Sequence, residues 1–272
     1  MALEGLSPTQ IVAGRLIAGS AALAVAVRLG IASYPSGWEQ WRLVATLACI
    51  QNVVPFAMFA WGEERVSSSL ASVMNATTPL FTALVAAAAM VPGERLNTRR
   101  VLALAAGMSG VIVIMQPWKS GGGQVLGELA CLGAAACYGL GFVFTSRYIM
   151  GRMRSTAAAV GQVGAGAVIA TVIAVVVTAT SGHAPHVDLH IAAALLTLGA
   201  LGTGVAFLLS FHLVETTGPT ATSAVTFLMP IVGVVLGVLV LNESIGWNVA
   251  AGGALVLGGI MLVRRRSVIA PA

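Results

Sequence analysis

Long apolar stretches alternate with short polar turns along nearly the whole chain. A membrane-spanning helix needs about 20 mostly apolar residues. Turn-forming residues such as Pro92-Gly93 and Gly218-Pro219 mark the ends of the stretches. Nine spans are predicted, over residues 9–29, 43–61, 66–91, 99–116, 125–147, 155–180, 189–214, 218–241 and 246–263. The pattern therefore predicts an all-α protein, a polytopic membrane helical bundle.

Composition supports this class and excludes others. The chain is 58% hydrophobic and 8% charged, with a mean hydropathy of +0.94, whereas soluble domains carry about 25% charged residues. The net charge of +5 does not indicate nucleic acid, because the basic residues lie singly or in small groups between apolar spans. Cysteines 49, 131 and 137 all fall inside apolar stretches, so no disulfide framework is implied.

The segment 67–96 has a second copy at 218–245. Ser72 and Ser223 lie 151 residues apart, as do Pro79 and Pro230. The glycine-rich segment 118–124 is the natural joint, so we divide the chain into a first half, residues 1–118, and a second half, residues 119–272. Internal repeats with interrupted helices at corresponding positions mark the substrate site of secondary carriers. The repeat therefore predicts a transporter.

Basic residues predict the orientation, because lysine and arginine are enriched in short cytoplasmic loops. With Arg264–Arg266 placed in the cytoplasm, eleven of the fourteen basic residues fall on that side. Only Arg65 and Lys119 fall outside, and Arg15 lies within the first span. The turn after Pro79 is then cytoplasmic and its repeat partner faces out. The halves are predicted to be inverted repeats.

The two halves have unequal span counts. Aligning Ser7 with Ser155 pairs the first visible span with 155–180 and leaves 125–147 without a partner. We therefore expect ten spans, of which nine are visible and the first is missing. Either the reading frame begins at an internal methionine or the form is naturally shortened. The second alternative keeps an inactive truncated carrier open.

Three segments resemble the EamA-type transporters of the drug/metabolite transporter superfamily. "NVVPFAMFAWGEERVSSSLASVMNATTPLFTALVA" (52–86) is similar to the first-half signature of that family. "GELACLGAAACYGLGFVFTSRYI" (127–149) and "GALGTGVAFLLSFHLVETTGPTATSAVTFLMPIVGVVLGVLVLNESI" (199–245) resemble the second half. The resemblance implies ten helices, cytoplasmic termini and a carrier of small metabolites that is often an exporter.

Polar groups and prolines inside apolar spans are the candidates for substrate contact. A proline removes a helix hydrogen bond, and freed carbonyls at membrane depth are tolerated where they line a cavity. An amide in hydrocarbon faces the bundle interior, where it binds substrate or another helix. The alternative for the prolines is a simple packing kink. The predicted substrate-binding residues are Asn52, Asn75, Thr78, Pro79, Tyr138, Thr226, Met229 and Pro230.

Other polar residues in the spans have weaker claims. Gln162, Ser210 and His212 are further candidates for substrate contact. Arg15 and Glu128 each lie close enough to the outer end of a span for the side chain to reach the membrane interface. We expect that location for both.

The predicted function is a secondary transporter that exports a small organic metabolite or drug by alternating access. No nucleotide loop, nucleophile–base pair or metal-ligand cluster is visible in the sequence, so we expect no enzyme activity, no cofactor and no metal. A membrane-embedded enzyme is the alternative class. The expected location is the plasma (inner) membrane, multi-pass, with a cytoplasmic C-terminus. The expected partners are the substrate and the lipid bilayer, with a homodimer left open.

Overall fold

The computed structural model describes residues 6–90, 98–116, 122–181, 187–227 and 246–264. Across these ranges the chain is helical and contains no strand. Six helices in them are long and apolar enough to cross a membrane, and Ala105–Ile114 is a shorter apolar segment. The predicted all-α membrane bundle is confirmed. The count of nine spans and the inverted repeat stay predictions.

The helices are numbered here in chain order. They are α1 (Pro8–Arg28), α2 (Gly37–Glu63), α3 (Ser68–Asn75), α4 (Thr78–Ala88), α5 (Thr98–Met115), α6 (Gly122–Phe144), α7 (Ser155–Ser181), α8 (Leu189–Thr217), α9 (Pro219–Ser223) and α10 (Trp247–Arg264). Wider π-helical turns lie within α2 at Cys49–Val53, after α6 at Thr145–Ile149, and within α8 at Ala200–Val205.

Local sequence explains where several helices begin and end. Ser7 caps α1, since its side chain accepts a hydrogen bond from the Gln10 N–H while the Gln10 side chain accepts one from the Ser7 N–H. Pro8 follows at the first helical position, where its missing N–H costs nothing. The Asp188 carboxylate caps α8 by accepting from the Ile191 N–H at 2.7 Å.

Helix α2 begins at Gly37, earlier than the span predicted from residue 43. The first turns of α2 precede the apolar span, and their polar side chains bind Arg152. Gln40 Nε2 donates to the carbonyl oxygen of Arg152 at 3.0 Å, and Glu39 pairs with Arg152 at 3.6 Å. A criterion based only on apolar residues misses such a helix start.

The span predicted over 66–91 corresponds to the apolar stretch Leu70–Ala88, which is interrupted in the structure. Helix α3 ends at Asn75 and α4 begins at Thr78, with Ala76 and Thr77 between them. Pro79 lies at the second position of α4. The break therefore lies immediately before the proline that the sequence singled out.

The chain forms two compact units. Unit 1 takes its described residues from Met1–Ala60 and Phe144–Gly218, and unit 2 takes its described residues from Trp61–Val143 and Pro219–Ala272. Each unit thus combines residues from both halves of the sequence. The boundaries between units fall near the end of α2, at the end of α6 and between α8 and α9.

Each unit has its own packed interior. In unit 1, Val44, Leu47 and Phe211 belong to a buried cluster that joins α2, α7 and α8. In unit 2, α5 packs closely on α10, where a Cβ on Gly110 would lie 2.6 Å from the carbonyl oxygen of Gly252. Only glycine permits this backbone approach.

Candidate functional site

The break between α3 and α4 is the first polar site in unit 2. Pro79 has no N–H to donate to the carbonyl oxygen of Asn75, four residues earlier. The Thr78 hydroxyl donates to that oxygen instead, at 2.7 Å. The Thr77 hydroxyl donates to the Met74 carbonyl oxygen, also at 2.7 Å. Side-chain hydroxyls thus bind backbone carbonyls where the helix is interrupted.

The polar side chains at the break are buried. Thr77, Thr78 and Thr82 have no exposed surface, and 8% of Asn75 is exposed. Thr78 Oγ1 also lies 3.2 Å from Asn75 Oδ1, which accepts from the hydroxyl. Thr82 Oγ1 donates to the Thr78 carbonyl oxygen at 2.9 Å. Because each threonine hydroxyl donates its proton to a backbone carbonyl oxygen, the lone pairs of the hydroxyl oxygen can accept a hydrogen bond from a ligand.

Helix α4 packs against α9 and against the 3₁₀ turn Ala224–Phe227 that follows it. This second segment is also rich in buried hydroxyls, since Thr222, Ser223 and Thr226 are all buried. Thr226 Oγ1 donates to the Ser223 carbonyl oxygen at 2.7 Å. The structure therefore brings the Thr78 helix and the Thr226 turn together, as two hydroxyl-rich segments of one unit.

Tyr138 lies close to α4 because the adjacent residue, Gly139, contacts that helix. A Cβ on Gly139 would lie 2.8 Å from both the Thr82 backbone nitrogen and Phe81 Cβ. Helices α6 and α4 therefore cross in backbone contact at Gly139, which places half-buried Tyr138 at the level of Thr82. Met229 and Pro230, the remaining predicted residues of this region, lie outside the described residues.

Asn52 belongs to a separate polar cluster in unit 1. It lies on the π-helical turn of α2 beside Gln51, and π-helical turns are frequent at functional sites. Gln162 of α7 donates through Nε2 to Asn52 Oδ1 and, at 3.3 Å, to Gln51 Oε1. Asn52 and Gln162 have no exposed surface, and 5% of Gln51 is exposed. Asn52 therefore makes the helix–helix hydrogen bond that the sequence allowed.

Arg15 has partners on two other helices of unit 1. Its guanidinium carbon lies 3.9 Å from the centre of the Phe56 ring. Arg15 Nε and Nη2 donate to Thr203 Oγ1 at 3.3 and 3.2 Å. The side chain thus lies between α2 and the π-helical turn of α8, and its location at the membrane interface stays a prediction. Sequence reasoning missed this role, although an arginine inside an apolar span was its signal.

Glu128 is likewise enclosed, since its side chain has no exposed surface. Gln124 Nε2 donates to Glu128 Oε1 at 3.0 Å, while Oε2 has no hydrogen-bond partner among the described residues. A carboxyl inside an apolar helix is a candidate functional group by default. The sequence had indicated only an interface position.

A helical membrane bundle with polar groups buried at helix interruptions is the architecture of transport proteins. The family model of the EamA-like transporter family matches residues 1–116 and 125–265. The chain belongs to this family. The resemblance stated from the sequence is thereby confirmed.

Individual relatives agree with this assignment. The chain is 24% identical over 262 residues to an uncharacterized transporter of Archaeoglobus fulgidus, covering 96% of this chain and 90% of the relative. It is 26% identical to a probable terminal-alkyne amino-acid exporter of Streptantibioticus cattleyicolor, covering 97% of this chain and 86% of the relative.

A solved crystal structure has the same fold. It matches with a TM-score of 0.69 at 19% identity, covering 96% of this chain and 90% of the other. Together, the family and the names of the relatives point to a membrane transporter rather than an enzyme.

Proposed function

We propose that this protein is a secondary carrier that exports a small organic metabolite or drug by alternating access. The observation that carries the proposal is the interrupted helix at Asn75–Pro79, whose buried polar groups lie in the interior of unit 2. Broken helices in corresponding positions of two repeats form the substrate sites of carriers. Pro230 stands at the corresponding position of the second repeat.

The proposed substrate contacts are the residues predicted from the sequence. Asn75 and Thr78 supply directional hydrogen bonds from α3 and α4, while Pro79 sets the break between them. Thr226, Met229 and Pro230 shape the wall from the second repeat, and Tyr138 contributes an aromatic surface. Asn52 of unit 1 is a further proposed contact residue.

The arrangement in the membrane is part of the proposal. Two inverted repeats, residues 1–118 and 119–272, would let one set of helices move against the other. The charge distribution of the loops supports a cytoplasmic C-terminus in the plasma membrane. The direction, export, is supported by the resemblance of the chain to a protein named as a probable amino-acid exporter.

A comparison of solute release tests the proposal. Cells that produce the protein should release at least one small metabolite faster than matched cells with an empty vector. A variant with Asn75→Ala should release it more slowly at equal amounts of protein in the membrane. Identical extracellular and intracellular metabolite profiles in all three strains, across amino acids, sugars, nucleosides and drugs, would overturn the proposal.

A further inference from the structure

Two buried amide groups in unit 1 each have a hydrogen-bonding atom left over. Asn52 Nδ2 and Gln162 Oε1 have no hydrogen-bond partner among the described residues. Neither side chain has any exposed surface. The N–H groups of the Gln162 amide already donate to Asn52 Oδ1 and Gln51 Oε1. One donor therefore remains on Asn52 and one acceptor on Gln162, the two residues whose amides bond each other.

Such a pair is costly unless something binds it. An unsatisfied buried donor or acceptor loses its hydration without compensation, and in a membrane protein the surrounding lipid offers no replacement. Most buried polar groups in proteins are paired, and those that are not call for a specific explanation. The π-helical turn at Cys49–Val53 points the same way, because this irregular geometry is common at functional sites.

The backbone of α7 leaves room beside the unpaired donor. Gly166 lies one turn after Gln162, and a Cβ added to it would lie 3.5 Å from Asn52 Nδ2 and 3.6 Å from Leu16 Cδ1. Both distances are ordinary contacts. The space next to the Asn52 amide thus exists because residue 166 has no side chain.

We propose that Asn52 and Gln162 form a substrate subsite for an uncharged polar group that both donates and accepts a hydrogen bond. A carboxamide or a hydroxyl meets this requirement, since Asn52 Nδ2 donates to it and Gln162 Oε1 accepts from it. A carboxylate would leave Gln162 Oε1 without a donor, and an ammonium would leave Asn52 Nδ2 without an acceptor. No formal charge lies on the three amides to compensate a buried ion.

This inference rests on the proposed carrier function, because the enclosed amides become accessible when the transport cycle separates the helices. It narrows the substrate to solutes that bear a carboxamide or a hydroxyl.

One series of solutes and two alanine variants test the subsite. The solutes share an amino-acid backbone and differ in the end group: L-glutamine, L-homoserine, L-glutamate, L-ornithine and L-norvaline. The variant Gly166→Ala places a methyl group against Asn52 Nδ2. The variant Gly164→Ala makes the same change on the same helix, where the new Cβ would lie 3.7 Å from Ser20 Oγ.

Binding is measured as the rise in unfolding temperature of the purified full chain in detergent, and transport as counterflow in proteoliposomes. We expect L-glutamine or L-homoserine to raise the unfolding temperature of the protein and to compete in counterflow. The charged and apolar analogues should do both at least several-fold less well. Gly166→Ala should lower the apparent affinity for the favoured solute about three- to ten-fold, the range for one lost hydrogen bond. Gly164→Ala should bind that solute with the affinity of the parent. Asn52→Asp, which keeps an acceptor and loses the donor, should also lower the affinity for this solute.

The inference is overturned if the five solutes act equally, if a charged analogue is favoured, or if Gly166→Ala and Gly164→Ala behave alike, as they would if the amides bound only water. The two proposals fail in different ways. If no solute moves in proteoliposomes but the thermal shift shows the expected preference, the carrier function fails and the binding site stands. If counterflow of other solutes proceeds without this preference, the subsite fails and the carrier function stands.

Discussion

The Thr78 hydroxyl donates to the Asn75 carbonyl oxygen at 2.7 Å. This is the oxygen that loses its helical donor because residue 79 is proline. The helix is therefore interrupted at full burial without leaving that carbonyl unsatisfied. A threonine directly before the proline repairs the break with its own side chain.

This relationship predicts the effect of substitutions at residue 78. Thr78→Val preserves the shape of the side chain but removes the donor, and should lower the free energy of unfolding by about 1–3 kcal/mol, the usual cost of an unsatisfied buried group. Thr78→Ser retains the donor and is the control. Thermal unfolding in detergent measures both.

A double variant sharpens this test. Pro79→Ala restores an N–H to the backbone, so it should recover much of the stability lost in Thr78→Val, and the two changes should be non-additive. If Thr78→Val unfolds at the same temperature as the parent, with or without Pro79→Ala, the repair has no energetic importance.

Gly139 predicts a strong packing effect. An alanine there would place its Cβ 2.8 Å from the Thr82 backbone nitrogen, which cannot move away as a flexible side chain could. Gly139→Ala should destabilise the protein by about 1–3 kcal/mol, as overpacking does. Gly123→Ala lies on the same helix with nothing within 4 Å of the new Cβ, so it should be neutral or slightly stabilising. Equal stability of the two variants would show that α4 and α6 do not cross at Gly139.

Substitution of Asn75 is expected to reduce transport without unfolding the protein. If its side chain binds substrate, Asn75→Ala should weaken apparent affinity several-fold, since one hydrogen bond contributes about 1 kcal/mol, while the unfolding temperature in the absence of solute changes little. Counterflow in proteoliposomes and thermal unfolding are measured on the same preparation. A drop in unfolding temperature with unchanged affinity would assign Asn75 to helix packing instead.

The loop charges predict which positions face outward. In a background without cysteine, single cysteines at Val187 and Ser120 should react with an impermeant thiol reagent added to intact cells. Cysteines at Ser36 and Thr98 should react only after the membrane is opened. The opposite pattern would invert the proposed orientation and place the C-terminus outside.

Hydrophobic pattern alone predicted the helical membrane class, and the described helices fall close to the predicted spans. The physical reason is that a helix in lipid satisfies its backbone within itself, so a run of about 20 apolar residues nearly suffices to define it. The pattern failed at Gly37, where a polar helix start is held by Arg152 from a distant part of the chain. The single span predicted over 66–91 corresponds to the apolar stretch Leu70–Ala88, which is interrupted at Ala76 and Thr77 before Pro79.

The sequence by itself predicted the repeat and determined the helix-breaking proline and the polar residues inside the spans, because these depend on residue type and local spacing. Only the tertiary structure decided their partners. Asn52 meets Gln162 from 110 residues away, and Arg15 meets Thr203 from 188 residues away. A polar residue within an apolar span indicates that its side chain faces the bundle interior. The residue that it bonds there depends on how the helices pack. For the same reason, the burial of Glu128 could not be read from its position near the end of a span.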